Sequence, residues 1–336
     1  MKNLMALATI LALTIFLCEI SCAEEASSIF DARIRKDIQQ LGDRQYSQEA
    51  RVALVAEGSR AVPYLAALLQ APNAKAAAKV LAINILGEIR DSQATDVLIG
   101  MMKDKNVKIR RATAKTLGRI GDKKAANVLK DSINDNDSIV KFDSVRSLEQ
   151  IGDPSVAEYI IEILPDNNPD IRLYAVMALG KMKYKGAIKD LSNMTGDVHP
   201  NVRLELARAL GSIGDEGCVA PLNKLVNDPD RNVRLEAVKM LGNIKCKESL
   251  DILLGCTESG DNMVRYYSAQ ALGKLGYNES VSSLKQLLND ESTNIRIEAA
   301  RSLSQIGTGD AKAVLKTVLN DEISQVKNVA EQAVGQ

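Results

Sequence analysis

The chain has 336 residues, 46% of them apolar but only 3% aromatic, and it contains no Trp. A core drawn from that stock is Ala, Leu, Ile and Val, which suits closely packed helices better than a sheet sandwich, whose strands favour aromatic and β-branched side chains. Lys plus Arg equals Asp plus Glu, 43 against 43, which excludes a global field drawing the protein onto nucleic acid or anionic lipid.

Residues 1–23 read as a secretory signal: Lys2 gives a basic start, Leu4 to Leu17 is an apolar run of 14, and Ser21, Cys22 and Ala23 are small residues before Glu24. The run is short for a bilayer. Cleavage after Ala23 is expected, giving an exported product, periplasmic or secreted, with no membrane span left. An uncleaved anchor and lipidation at Cys22 are the alternatives, and Glu19 suits the second poorly. Cys218, Cys246 and Cys256 then remain in an oxidising compartment, an odd number that leaves at least one unpaired.

Residues 24–46, with "IFDARIRKDIQQL", are expected to form a polar capping helix over the first repeat, and residues 47–75 an imperfect first unit. From there the chain keeps a strict period. Leu86, Leu117, Leu148, Leu179, Leu210, Leu241, Leu272 and Leu303 stand 31 residues apart, with Val334 closing the series. Such a period marks a solenoid, because one unit cannot bury its apolar face until a neighbour stacks on it.

Each unit holds two helices. Val202, Leu206, Leu210 and Ile213 lie three or four apart, on one helical face. Gly214 can end that helix in a left-handed conformation and Asp215 can cap the next, a punctuation repeated at Gly121-Asp122 and Gly152-Asp153. The second helix has its own ladder: Leu98, Leu129, Ile160, Leu191, Leu222, Leu253, Leu284 and Leu315. Pro221 is expected to delay one second helix to about residues 218–220. Residues 47–336 thus make nine full units and a truncated tenth, an all-α, right-handed curved solenoid of 31-residue hairpins.

"VRLEAVKMLGNI", "VRLELARALGSIGD" and "IRIEAARSLSQIG" resemble HEAT repeats of the short subclass named after phycobilisome lyases. The resemblance covers residues 47–336 and implies an interaction scaffold more often than an enzyme.

A basic residue recurs at Lys79, Arg110, Lys141, Arg172, Arg203, Arg234, Arg265, Arg296 and Lys327. Six residues upstream of this register runs an acidic row, Asp104, Asp135, Asp166, Asp197, Asp228, Asp290 and Asp321, missing at Asn73 and Ser259. Each Asp can accept N–H groups at a helix start and meet a cation of its own unit or the next. The resemblance implies that these rows form a structural Asp–Arg ladder.

His199 is the only histidine, in the loop "GDVHPNVR", and no nucleophile elbow or glycine-rich phosphate loop is present. No catalytic, metal or cofactor residue is assigned. HEAT-repeat deoxyhypusine hydroxylases hold two irons with His-Glu pairs, and one histidine cannot supply that set. A bilin-lyase-like enzyme or subunit is the alternative to a scaffold, although no catalytic set carries across. Cys218 and Cys256 fall in packing rows; Cys246, in the interhelix turn, is expected to be exposed, with a bridge to Cys218 as an option. Second-helix positions expected to line the concavity, such as Lys130, Asp131, Glu158, Glu162 and Lys189, mix both charges, which favours a protein or peptide groove over nucleic acid. Tyr174 and Tyr184 recur three repeats on as Tyr267 and Tyr277, beside Tyr266. They either fill gaps between helices or mark a partner-facing surface on the first-helix side and turn edge.

Overall fold

The computed structural model describes residues 31–41 and 47–335, all of whose regular structure is helical. The expected signal and most of the ends of the expected cap lie outside these residues. A helix over residues 31–40 buries Ile34, and Leu41 just beyond it is buried as well. Nine hairpins follow among the described residues, and a last helix, Ser324–Gly335. They fall into two compact units, residues 1–147 and 148–336.

The first hairpin is the irregular one. Ser47–Gln70 is long and apolar enough to cross a membrane by length and composition alone. A 3-10 turn at Gly58–Ala61, with Gly58 at φ +57°, breaks it into Ser47–Glu57 and Val62–Gln70. Both helices bury leucines, Leu54 on the first and Leu65 and Leu69 on the second.

The later first helices keep register: Val107–Ile120, Ser138–Ile151, Pro169–Lys181, Pro200–Ile213, Arg231–Leu241, Asn262–Leu275 and Thr293–Ile306. All but Arg231–Leu241, which is followed by Gly242 at φ −65°, end where an αL residue stops the helix. Gly121, Gly152, Gly214, Gly276 and Gly307 have φ between +64° and +75°, which costs a glycine nothing. Lys183 occupies the same register at φ +50° and Arg90 at φ +57°, where a Cβ is unfavourable. Next comes the capping position, where Asp91, Asp122, Asp153 and Asp215 each accept the N–H two residues on at 2.9–3.0 Å.

A 3-10 turn then leads into the second helix at Thr95, Ala126, Ala157, Ile188, Val219 and Val281, all one register. The late start at Val219 is therefore common to the unit and owes nothing to Pro221, which sits in the first turn, where its missing N–H is tolerated. Cys246 and Thr308 replace the Asp in two hairpins, and there the second helix begins directly at Lys247 and Gly309.

Between units the first helices approach most closely along a row of glycines. A Cβ at Gly180 would lie 2.6 Å from Ala209 Cα, one at Gly242 3.0 Å from Ala271 Cα, and one at Gly273 2.8 Å from Ser302 Cα. Buried hydroxyls of the opposing row stitch the same contacts. Thr116 Oγ1 donates to Ile83 O at 3.1 Å, Ser147 Oγ to Ala114 O at 2.8 Å and Ser302 Oγ to Ala269 O at 2.8 Å. Successive second helices touch far less. A stack bends toward its tighter layer, so within residues 148–336 the inside of the bend is the first-helix layer. This corrects the expectation that second-helix positions line the concavity, because small residues sit on the other helix.

Two substitutions separate these roles. Gly180→Ala should destabilise the protein by about 1–3 kcal/mol, since Ala209 backbone cannot move aside. Lys183→Gly, three residues beyond Gly180, should stabilise it by about 1 kcal/mol by relieving the αL penalty. Urea unfolding of the two variants checks both signs.

Candidate interaction surface

The ladder residues lie in the loops between hairpins and one turn into each first helix. Arg203 grips the aspartate of the following unit with two parallel bonds, Nε to Asp228 Oδ2 at 2.6 Å and Nη2 to Oδ1 at 2.8 Å. Its third nitrogen, Nη1, donates to Asp197 O, in the loop before its own helix. Arg110 with Asp135, Arg172 with Asp197 and Arg265 with Asp290 repeat the fork at 2.7–3.1 Å. Each of these aspartates also accepts the N–H two residues on, as Asp228 does from Asp230 at 2.8 Å. One carboxylate thus turns a loop and ties two units.

Not every predicted rung closes this way. Asp104 and Asp321 make the local turn with Asn106 and Ile323, whereas Asp166 makes that turn with Asn168 and is engaged beyond it. Arg296 donates to Asp290 O at 2.8 Å, but its nearest carboxylate is Glu322 at 3.8 Å instead of Asp321. Lys141 stands at the ladder register in the helix Ser138–Ile151, and Lys327 reaches Glu331, one turn along its own helix, at 3.8 Å. Arg234 lacks a bidentate partner because position 259 is Ser.

The tyrosines divide into two sets. Tyr184 and Tyr277 occupy the capping position of the turn without capping it. Tyr184 instead donates to Glu158 on the preceding second helix, and Lys245 Nζ lies 5.7 Å from the Tyr277 ring. Tyr174 and Tyr267 stand on first helices, in one register with Glu205, Glu236 and Glu298. Tyr266 and Tyr267 meet edge to face with centroids 5.2 Å apart, and Lys239 Nζ sits 4.1 Å over the Tyr267 ring. These two rings, with Met263, Ile297, Arg301 and Gln325, line an open cleft of about 500 Å³. Burial, then the Glu298 carboxylate, push the Tyr266 hydroxyl above the usual tyrosine range, so it is a neutral donor at neutral pH.

Acids lie low on this face and cations stand outside them. Glu298 is 8% exposed beneath Arg301 at 58%, their charges 3.7 Å apart. Arg208 bridges Glu205 at 3.3 Å and Glu236 at 3.2 Å, and Lys239 reaches Glu236 at 3.6 Å. In residues 1–147 the same register holds Asp143, buried with Lys115 Nζ at 3.6 Å and no hydrogen bond to either oxygen. Desolvation pushes the Asp143 and Glu205 carboxyls above the usual range. Rows of glutamate under arginine carried no signal until the register was superposed on the packing.

No reactive centre gathers around His199 or the cysteines. His199 is exposed at the start of Pro200–Ile213, its backbone N–H bonded to Asp197 Oδ1 at 2.9 Å. Cys218, Cys246 and Cys256 are free and buried, so no bridge joins Cys218 to Cys246. Cys246 is 9% exposed, not the open thiol expected of a turn residue, because it points inward to cap its helix. Its Sγ accepts from Ser249 N–H at 3.5 Å. Burial pushes Cys218 up to about 11, leaving it a protonated packing residue. Among the described residues no group of three or more His, Cys, Asp or Glu is placed to hold a metal ion.

Arg203 and Asp228 are 10% and 3% exposed in their side chains, so Arg203→Ala should cost about 3 kcal/mol by leaving a buried carboxylate unpaired. Burial alone would raise the Asp228 carboxyl, but Arg203 and the Asp230 N–H hold it below the usual range. Its stabilisation is present above the unfolded value of about 3.9 and lost as pH falls through the lower folded one. Melting curves should show the gap between Arg203→Ala and the parent full at neutral pH and closing on acidification below about 4.

A family profile described as HEAT repeats matches residues 62–149, 188–265 and 255–335. No curated protein matches the sequence. Among solved structures, an engineered protein aligns over 90% of this chain and 98% of its own at 20% identity, with a TM-score of 0.55. Escherichia coli YibA aligns over 80% of this chain and 99% of its own at 18% identity, with a TM-score of 0.50. The complex of CpcE and CpcF of phycocyanin lyase from Nostoc reaches a TM-score of 0.35 at 19% identity, over 80% of this chain and 94% of that one. With the profile covering most of its length and the 31-residue hairpins in register, the chain belongs to the HEAT-repeat family.

Proposed function

We propose that this protein is a non-enzymatic scaffold that holds another polypeptide against the first-helix face of residues 148–336, anchored in the cleft at Tyr266 and Tyr267. HEAT-repeat proteins generally mediate protein interactions, which supports the class of function. The observation that carries the choice of surface is the aromatic pair itself: two tyrosines in a chain with 3% aromatics, side by side in an open cleft. Tyrosine offers large, rigid contact area with one hydrogen-bonding end, the chemistry of interface hot spots. Lys239 and Arg301 beside it are paired with low-lying glutamates, which lowers the ordering cost of a partner's arrival.

Export is part of the same proposal and rests on residues 1–23. The mature chain would then begin at Glu24, which N-terminal sequencing of the native protein reads directly.

Affinity capture with the native protein, followed by mass spectrometry, should recover a polypeptide whose binding weakens about tenfold or more in Tyr267→Ala. Unchanged recovery with Tyr266→Ala and Tyr267→Ala, both still folded by circular dichroism, rejects this face as the binding surface. A bound pigment or metal seen by absorbance or native mass spectrometry would instead favour an enzyme.

A further inference from the structure

The arginine ladder has an open rung. Position 259 is Ser where the same register holds Asp135, Asp197, Asp228 and Asp290. Ser259 Oγ still accepts the Asp261 N–H at 3.2 Å, so the loop keeps its turn. A hydroxymethyl group is too short to reach the guanidinium across the unit. Arg234 consequently donates from Nη1 alone, to Asp228 O at 2.8 Å and Pro229 O at 3.1 Å. The carboxylate within ion-pair distance, Asp261, is 3.9 Å from Nη2 and already held by the two-pronged grip of Arg231 at 2.8 and 2.9 Å.

The contrast with the closed rungs is geometric. In those, the Nε–Nη2 edge of Arg110, Arg172, Arg203 and Arg265 faces two carboxylate oxygens, and the side chains are 18, 11, 10 and 12% exposed. Arg234 is 29% exposed with that edge unfilled by any described residue. Its Nη1 bonds fix the plane of the guanidinium as they do in the closed rungs. Beside it opens a cleft of about 390 Å³ between Val219–Val226 and Lys247–Cys256, lined also by Asn223, Asn227, Ile252, Ser259 and Val264.

We propose that the open rung at Arg234 is a binding site for a carboxylate supplied by a ligand, which completes in trans the fork that an aspartate completes elsewhere. A pre-oriented guanidinium edge matches two planar oxygens. Asn223 and Asn227 offer amides, and Ile252 and Val264 an apolar wall, to the rest of the ligand. Asp251 and Asp261 also line the cleft; with two acids already present, one negative charge is better accommodated than the two of a phosphate. The size suits a small acid or the terminal residue of a chain. The site is separate from the tyrosine cleft and does not rest on it.

The test follows the Arg234 Nε–H and the Asn223 and Asn227 side-chain amide resonances by NMR of the full-length protein, the amides alone in Arg234→Gln, titrated with N-acetylglycine, with a pentapeptide bearing a free C-terminus, with the same peptide amidated, and with inorganic phosphate. A saturable shift with the two acids at about 1 mM or below, and none with the amide, is the expected result. A peptide at least tenfold tighter than N-acetylglycine identifies a polypeptide terminus as the source, and the reverse order a small acid; either supports the site. Ser259→Asp supplies the missing carboxylate from within, so it should raise Tm and remove the shift, and Arg234→Gln should remove the shift without closing the rung. The proposal is overturned if neither acid gives a saturable shift, if the amide or phosphate binds as well as the acids, or if Ser259→Asp raises Tm yet binds unchanged. Should Ser259→Asp fail to fold, binding that survives in Arg234→Gln is equally decisive.

Discussion

The two-pronged bond from an arginine in one unit to an aspartate in the next is the constraint on which the stack depends. Side-chain burial alone would let hairpins slide along one another, because Leu, Ile and Val contacts are non-directional. A guanidinium fork is directional in both angle and distance. By anchoring Nη1 on the carbonyl before its own helix and Nε and Nη2 on the next unit's carboxylate, Arg203 sets the offset between two loops and hence between two hairpins. The same geometry at Arg110, Arg172 and Arg265 repeats that offset.

The glycine row complements the forks from the other end of the first helix. Forks fix where a unit sits along its neighbour; glycines set how near it comes. At Gly180, Gly242 and Gly273 backbone meets backbone with no room for a methyl group, whereas second helices carry full-sized side chains between them. That asymmetry aims the first-helix face of residues 148–336 inward, and with it the Tyr266 and Tyr267 cleft. Charge on the face is layered: acids low, cations high, so a formally balanced surface presents its positive groups outermost. Two departures from the repeat lie where function is proposed. Tyr replaces Glu at 267, and Ser replaces Asp at 259, each in a register whose other members do structural work.

Much of this was legible in the chain because a solenoid contacts only its sequence neighbours, so period, punctuation and core follow from local pattern. The glycine stops and aspartate caps fell where the spacing put them, as at Gly214 and Asp215. Cys246 was misread because a turn position implies exposure, whereas its thiol substitutes for a capping oxygen and turns inward. Pro221 was given a role that the whole register plays.

The sequence by itself determined the unit, its two helices, the residues in its core and the existence of matched acidic and basic rows, since all of these are one-dimensional regularities. Only the tertiary structure decided that Arg110, Arg172, Arg203 and Arg265 reach the following unit's aspartate and that the first helices form the tight layer. It also decided that Tyr266 and Tyr267 share a cleft while Tyr184 and Tyr277 serve the turns. The physical reason is that partner choice and face orientation depend on the offset and separation between stacked hairpins. Those follow from summed packing across units, and no single repeat encodes them.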